Sequence, residues 1–312
     1  MTLLVLGGIL LVTGVAAFIL LFIRPFGLQR EMAGGGGKEL RPPPVYEEPG
    51  TGHSPPIIIE SSSLKRRPLM KTEGKGDPVP SVSTKKSPQD FEEELPLVAI
   101  VIDDMGYQKK IGDDFLNLPV NLSFAFLPSG PFTGTQSARA RRLGRDILLH
   151  FPMQTADPSW DPGPGTIRVE MDRDTIRQRF TANLAALPLA LGINNHMGSL
   201  FTENRQAMQF FLELVNDHSL FFLDSMTSRN SVGYLLAREM GIKTARRDVF
   251  LDNERTHSAI TGQLRGLLSV AEKQGWAVGI GHPHPETLKA ISAFQGDLDH
   301  RVEVVSISRI MH

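Results

Sequence analysis

Short apolar runs alternate with amphipathic stretches from Leu95 to the end of the chain, and this feature constrains the fold most. Apolar runs of this length are typical of buried strands, and apolar residues recurring every three or four positions are typical of helices packed on a sheet. Strand and helix alternate along the chain, and that order predicts an α/β protein with parallel strands.

Eight runs are interpreted as strands. They are residues 97–103, 121–127, 146–150, 189–195, 220–224, 243–246, 277–281 and 302–307. Asp172 or Asp174 is expected to cap a helix, and Gly241 and Gly275 stand where helices end. Seven or eight β/α units in about 215 residues favour a (β/α)7-8 barrel, either complete or incomplete. An open doubly wound sheet is the alternative.

The first 24 residues are predicted to form a transmembrane anchor. Residues 2–23 carry no charge and are mostly apolar, which is long enough to span a bilayer. A cleaved signal peptide is the rival interpretation, but no basic region precedes the run and no clear cleavage site follows it. Arg24 and Arg30 follow the span, and this charge pattern argues weakly against export of the rest of the chain.

Residues 25–94 are rich in Gly, Pro, Ser, Lys and Glu, so they are predicted to form a flexible linker without a core of its own. A coil of this length reaches about 45 Å. The predicted organisation is therefore an anchor (1–24), a linker (25–94) and one folded domain (95–312).

The net charge of -1 gives no field that would attract nucleic acid, so a nucleic-acid partner is not expected. The chain has no cysteine, which excludes disulfides and thiol nucleophiles. Any metal ion must be held by His, Asp, Glu or water.

Unusual polar residues stand where the predicted strands end. They are Asp103, Asp104, His150, Asn194, Asn195, His196, Asp224, Arg246, Arg247 and His282. In β/α barrels the carboxyl ends of the strands form the active face, so these side chains are candidates for one site.

Two adjacent carboxylates, Asp103 and Asp104, can serve one site only if the strand ends there and turns, because neighbouring strand residues point to opposite faces. Gly106 makes such a turn plausible. One carboxylate would bind a cation and the other would accept a proton. The alternative is that one of them caps the next helix.

Four histidines are candidates for the same site. His196 lies among Asn194, Asn195 and Ser199, and His282 follows a strand directly. His150 could equally be a core residue bonded to a carbonyl, and His284 could cap a helix or face solvent. An Asp with two or three imidazoles suits Zn2+ or a similar ion, and such an ion supports amide or ester hydrolysis. The chain has no nucleophile elbow, His-Glu-x-x-His motif or P-loop.

Five ordered segments resemble the divergent polysaccharide deacetylase family. They are 102–107 (IDDMGY), 149–153 (LHFPM), 194–199 (NNHMGS), 222–225 (FLDS) and 281–287 (GHPHPET). The resemblance implies a (β/α) barrel of the polysaccharide deacetylase type, a cell-envelope or periplasmic location for the folded domain, and an acetylated carbohydrate as substrate.

The resemblance also implies roles for single residues. Asp103 would be the catalytic base and Asp104 a metal ligand, with His150 as a second ligand. The wider superfamily has a second His four residues later, where this chain has Gln154, and His196 would replace that ligand.

His282 would be the general acid. Asp224 falls near the superfamily's fourth motif, and with Asn194, Asn195 and His284 it is a candidate for contact with substrate or for support of the site. The expected cofactor is a divalent ion, Zn2+ first, with Mn2+ or Co2+ as alternatives.

The residues and the resemblance together leave three functions open. The first is a membrane-anchored, metal-dependent deacetylase of an envelope glycan. The second is a non-catalytic glycan-binding or scaffolding protein that keeps the fold, and Gln154 is the feature that favours it. The third is an anchored partner of an envelope complex whose barrel is only a platform.

Overall fold

The computed structural model describes residues 95–312. The predicted anchor (1–24) and linker (25–94) lie outside the described residues. Within residues 95–312, no helix combines the length and the apolar character that a membrane crossing requires.

Strands and helices alternate along the described chain. The strands are β1 (Leu97–Met105), β2 (Ser123–Phe126), β3 (Ile147–Met153), β4 (Gly192–Met197), β5 (Phe221–Asp224), β6 (Thr244–Arg246), β7 (Val249–Phe250), β8 (Trp276–Gly281) and β9 (Glu303–Val304). The helices are α1 (Lys109–Leu116), α2 (Thr133–Arg142), α3 (Arg173–Ala186), α4 (Arg205–Asp217), α5 (Gly233–Glu239), α6 (His257–Gln274) and α7 (Pro285–Arg301), and a short 3-10 turn follows at Ile307–Arg309.

The strands form one parallel sheet in the order β6-β5-β4-β3-β2-β1-β8-β7, and β9 also pairs with β1. This is the order of a barrel cut between β6 and β7, because no pairing joins those two strands in residues 95–312. The prediction of parallel strands with alternating helices is confirmed. The sheet is a half-barrel rather than a closed barrel.

All eight predicted strands occur, although the last is only two residues long. Strand β7 was not predicted, since two residues are too few to show a pattern. Asp172 caps α3 as expected, because its side chain accepts a hydrogen bond from the Thr175 N–H at 2.7 Å. Gly275 ends α6 in the left-handed conformation, with φ 92°.

The two faces of the sheet are covered differently. Helices pack on one face, where Ile100 and Ile102 of β1 are buried. The other face, which includes Val101 of β1, is covered by the C-terminal segment through Ile307 and Ile310. This segment lies at the amino ends of the strands, because backbone groups of His312 and of Thr244 in β6 exchange hydrogen bonds. This segment therefore does not cover the carboxyl ends of the strands, where the candidate site lies.

Candidate metal centre

The carboxyl end of β1 turns at Asp104, which is in the left-handed region with φ 54°. The pairing of β1 with β2 also changes register between Ile102 and Met105. Regular alternation is lost there, so both carboxylates face His150. Its Nε2 lies 3.7 Å from Oδ2 of Asp103 and 3.3 Å from Oδ1 of Asp104. The expectation that the strand must turn to bring both carboxylates to one site agrees with this geometry.

Three side chains converge at the ends of β1, β3 and β4. Oδ1 of Asp104 lies 3.3 Å from Nε2 of His150 and 3.1 Å from Nδ1 of His196, and the two nitrogens are 3.0 Å apart. The side chains are 6%, 0% and 2% exposed, respectively. Among the described residues, these three form the group whose donor atoms could hold a metal ion.

The protonation of His150 follows from its second ring nitrogen. Nδ1 lies 3.0 Å from Oδ1 of Asn194, while Nδ2 of that amide lies 2.9 and 3.0 Å from the two oxygens of Asp103. A carboxylate only accepts, so the NH2 group must face Asp103 and the amide oxygen must face His150. Nδ1 of His150 therefore carries the proton, and Nε2 directs a lone pair at Asp104 and His196.

The charge states of these groups suit metal binding. Burial alone would raise the pKa of Asp104, but the imidazoles of His196 and His150 hold it well below its ordinary value. Burial lowers the pKa of His150 to about 4, against the opposing effect of Asp104. At neutral pH the cluster therefore holds a carboxylate beside a neutral imidazole, the forms in which these residues bind metals.

The triad fits a divalent ion. Zinc bonds of about 2.0–2.1 Å at tetrahedral angles place ligand atoms about 3.3 Å apart, close to the 3.0–3.3 Å separations here. Oδ1 of Asp104 is buried and accepts no hydrogen bond among the described residues. This oxygen and the lone pair of His150 Nε2 therefore face each other, and a cation between them would stabilise both. Two nitrogens and one oxygen suit zinc or another borderline ion and leave a coordination position open.

A second pair, His282 and Asp252, lies at the ends of β8 and β7. Nδ1 of His282 is 2.9 Å from Oδ1 of Asp252. Oδ2 of Asp252 accepts hydrogen bonds from the His282 N–H at 2.6 Å and from Oγ1 of Thr287 at 2.7 Å. Burial would raise the pKa of Asp252, but His282 and these hydrogen bonds lower it overall. The pair fixes the tautomer of His282 and lies at the same end of the sheet as Asp103, since Ile102 of β1 pairs with Gly281 of β8.

Asp252 was missed by the sequence prediction. It follows two-residue β7 in the run Val249, Phe250, Leu251, Asp252, and an acidic residue after an apolar run was the available signal. The predicted His284 is also buried next to this pair, with its ring centroid 6.1 Å from that of His282. Burial lowers the pKa of His284.

Asp224 lies in a different hydrogen-bond network. Its carboxylate accepts from the Met226 N–H at 2.9 Å, from the Ser231 hydroxyl at 2.7 Å and from the Tyr234 N–H at 2.9 Å. It therefore ties the segment after β5 to α5. In the described residues, the carboxylate that binds His282 is that of Asp252.

The side chains of Asn195 and Gln154 form hydrogen bonds with backbone groups of neighbouring segments. Oδ1 of Asn195 accepts from the Ser225 N–H at 2.9 Å, and its Nδ2 donates to the Met197 carbonyl at 2.8 Å. Oε1 of Gln154 accepts from the Val169 N–H at 2.8 Å. Gln154 therefore does not take the place of a third imidazole, whereas His196 lies where such a ligand is needed.

Comparisons with known proteins give one family and two relatives of similar length. A model of the divergent polysaccharide deacetylase family matches residues 100–311. The uncharacterized protein YibQ of Escherichia coli is 34% identical over 216 residues, covering 69% of this chain and 67% of YibQ. An uncharacterized protein of Haemophilus influenzae is 32% identical over 213 residues, covering 68% of this chain and 76% of that protein.

A solved structure is also similar. The crystal structure of an uncharacterized protein of Agrobacterium tumefaciens C58 superimposes with a TM-score of 0.67 at 26% sequence identity. The superposition covers 70% of this chain and 90% of that protein.

Proposed function

The chain belongs to the divergent polysaccharide deacetylase family, and from this premise we propose that it is a metal-dependent hydrolase that removes acetyl groups from a carbohydrate. The observation that carries the proposal is the convergence of Asp104, His150 and His196 beside a second carboxylate, Asp103. A structural metal site would need no such additional carboxylate.

Asp104, His150 and His196 would hold the ion, with Zn2+ as the first candidate. When bound, a divalent ion supplies Lewis acidity, which polarises an acyl carbonyl and acidifies water. Asp103 is oriented by Asn194 and lies within 3.7 Å of a ligand nitrogen, so it would accept the proton of the attacking water.

His282 would supply the leaving group with its proton. Its Nδ1–H is bonded to Asp252, so Nε2 is the nitrogen that exchanges a proton with substrate. Asp252 stabilises the imidazolium form, and that form donates to the amine nitrogen as the bond to the acetyl carbon breaks.

The test is the metal content of the purified full-length protein, measured by elemental analysis beside Asp104→Ala and His196→Ala. We expect about one divalent ion per wild-type chain and loss of most of it in both variants. His218→Ala is the matched control. His218 bonds the Leu214 carbonyl and is not one of the three ligand candidates, so this variant should keep the ion. A folded wild-type protein that stays metal-free with Zn2+, Mn2+ or Co2+ present would refute the hydrolase.

The activity itself is tested with Asp103→Asn. Asp103 is a proton acceptor here and not one of the three ligands, so this variant should retain the ion and lose about 100-fold or more in release of acetate from N-acetylated glycans.

The alternative is a non-catalytic glycan-binding protein. The observation that favours it is the hydrogen bond of Gln154 to the Val169 backbone, which keeps this side chain out of the triad. Glycan binding by wild type and Asp103→Asn alike, with no acetate released by either, would select this alternative.

We also propose that residues 1–24 anchor the chain in a membrane with residues 95–312 on the periplasmic side, where an envelope glycan would be accessible. Support comes from the uncharged apolar run at residues 2–23. Membrane fractionation of cells, followed by protease treatment of spheroplasts, tests both parts. Recovery of the chain in the soluble fraction would refute the anchor, and protection from the protease would refute the orientation.

A further inference from the structure

Asn194 is fully buried in β4 and uses both ends of its amide within the site. Its Oδ1 accepts from Nδ1 of His150 at 3.0 Å. Its Nδ2 donates to both oxygens of Asp103, at 2.9 and 3.0 Å, and lies 3.2 Å from the Ser225 hydroxyl. A single side chain thus contacts a metal-ligand candidate and the base candidate.

We propose that Asn194 is a positioning residue that couples these two groups: its oxygen fixes the tautomer of His150, and its NH2 group fixes the orientation of Asp103. The inference rests on the proposed function for the roles of His150 and Asp103. Its structural part, the control of a tautomer, concerns the protein without metal and can be tested alone.

The tautomer matters because His150 has acceptors within reach of both ring nitrogens. With Asn194 present, Nδ1 carries the proton and Nε2 offers its lone pair to the triad. Without the amide oxygen, the acceptors that remain lie on the other side of the ring, where Oδ1 of Asp104 is 3.3 Å and Nδ1 of His196 is 3.0 Å from Nε2. The proton would then move to Nε2, where it blocks the lone pair that a metal ion needs.

Two substitutions at Asn194 separate its two roles. Asn194→Leu removes both hydrogen-bonding ends. Asn194→Asp is nearly isosteric and still offers an acceptor to His150, but it places a carboxylate against Asp103 where a donor stood. The first should disturb His150 and Asp103 together, and the second should disturb Asp103 alone.

Asn195→Leu is the matched control. Asn195 is the next residue of β4 and is equally buried. Its amide bonds Ser225, Met197 and Thr227 and makes no hydrogen bond to His150 or Asp103. Its loss should cost stability without changing the tautomer of His150.

The experiment uses full-length protein with 15N-labelled histidine, freed of metal at pH 7, and reads the tautomer of His150 from its ring nitrogen shifts. The His150 signals are assigned with His150→Phe. We expect a protonated Nδ1 in wild type, Asn194→Asp and Asn195→Leu, and a protonated Nε2 in Asn194→Leu. A protonated Nε2 in wild type, or an unchanged tautomer in folded Asn194→Leu, would overturn the inference.

Zinc affinity, measured by competition with a chelator, supplies the second measurement. Asn194→Leu should bind zinc about 10- to 100-fold more weakly, the usual effect of losing a partner of a ligating His. Asn194→Asp should bind it as tightly as wild type and lose about 100-fold in acetate release, because only Asp103 is misplaced. An equal loss of zinc affinity in both variants would overturn the inference. If Asn194→Leu does not fold, a loss of zinc affinity in Asn194→Asp would overturn it.

These measurements also separate the inference from the proposed function. If no acetate is released by wild type, the hydrolase fails, yet the tautomer and the zinc affinities still show whether Asn194 controls His150. If acetate is released but Asn194→Leu leaves the tautomer and zinc affinity unchanged, the hydrolase stands and the inference fails.

Discussion

Substitution of Asp252 should impair proton donation by His282 and leave metal binding unchanged. Asp252→Asn keeps the shape of the side chain but cannot stabilise a protonated His282, whose Nδ1 lies 2.9 Å away. We expect acetate release to fall by about 100- to 10,000-fold. Metal content, measured on the same samples, should not change, since the ligand candidates are Asp104, His150 and His196.

Asp224→Asn is the matched control for that variant, because Asp224 is equally buried and its carboxylate accepts three hydrogen bonds of its own loop. It should lower stability while leaving the rate of the folded protein within a few-fold of wild type. If the two variants lose the same activity, or if Asp252→Asn also loses its metal, Asp252 does not act through His282.

At the level of single residues, the sequence predicted which side chains meet better than it predicted the backbone geometry that brings them together. Side-chain type and position after a strand were enough to select Asp103, Asp104, His150, His196 and His282, which the structure brings to one end of the sheet. The turn was expected at Gly106, but the backbone already enters the left-handed region at Asp104, with φ 54°. A non-glycine residue pays about 1 kcal/mol or more there, so local propensity does not predict this conformation.

The contact between Asp252 and His282 lay beyond the sequence for a related reason. Asp224 and Asp252 both follow apolar runs, and only the order of strands decides which one meets His282. Strand β7 pairs with β8, which precedes His282, whereas β5 lies between β4 and β6. The decisive contact is therefore a property of the sheet and not of a local motif.

The C-terminal segment is the element that closes the sheet face opposite the helices. Ile307 is fully buried there with Val305 and Ile310. Ile307→Ala should reduce the free energy of unfolding by about 2–4 kcal/mol, because it leaves a cavity at a site with well-packed neighbours. Urea unfolding measures this loss. Metal content of the folded variant should stay the same, because the segment lies at the amino ends of the strands.

Leu143→Ala is the control at the element level. Leu143 ends α2 and is 49% exposed, so its truncation should change stability by less than about 0.5 kcal/mol. Equal losses in the two variants would show that the C-terminal segment does not pack as described.

Elements with enough residues to display a period were predictable, and the shorter ones were not. The predicted strands at residues 97–103 and 146–150 became β1 and β3, which extend two and three residues further, to Met105 and Met153. The predicted strand at 302–307 shrank to Glu303–Val304, because the chain then leaves the sheet to cover its open face. That departure depends on tertiary packing, which a local apolar pattern does not encode.

In residues 95–312, the two ends of the sheet carry different groups of residues. The C-terminal segment fills the sheet at the amino ends of the strands, and the titratable groups meet at the carboxyl ends. Mutations can therefore affect stability and the candidate site separately. Stability still depends on pH, because the site buries imidazoles that are charged at mildly acidic pH in an unfolded chain.

Stability of the metal-free protein should consequently fall as the pH drops from about 6.5 to about 4. His150 has its pKa lowered from 6.5 to about 4 by burial, so in this window the unfolded chain binds a proton that the folded protein resists. The stabilising contribution is fully present above the unfolded value and is lost towards the folded value, at most about 3 kcal/mol. Burial of His284 acts in the same direction. The lowered pKa values of Asp104 and Asp252 matter only below about 4, where those carboxylates would protonate in the unfolded chain.

Urea unfolding in the presence of a chelator, at pH 7, 6, 5 and 4.5, measures how the free energy of unfolding depends on pH. The variant His150→Gln has no imidazole to titrate at this position, so its free energy of unfolding should depend less on pH than that of wild type. A wild-type free energy of unfolding that is the same at pH 7 and 4.5 would contradict a neutral, buried His150, and with it the lone pair that the candidate metal site requires.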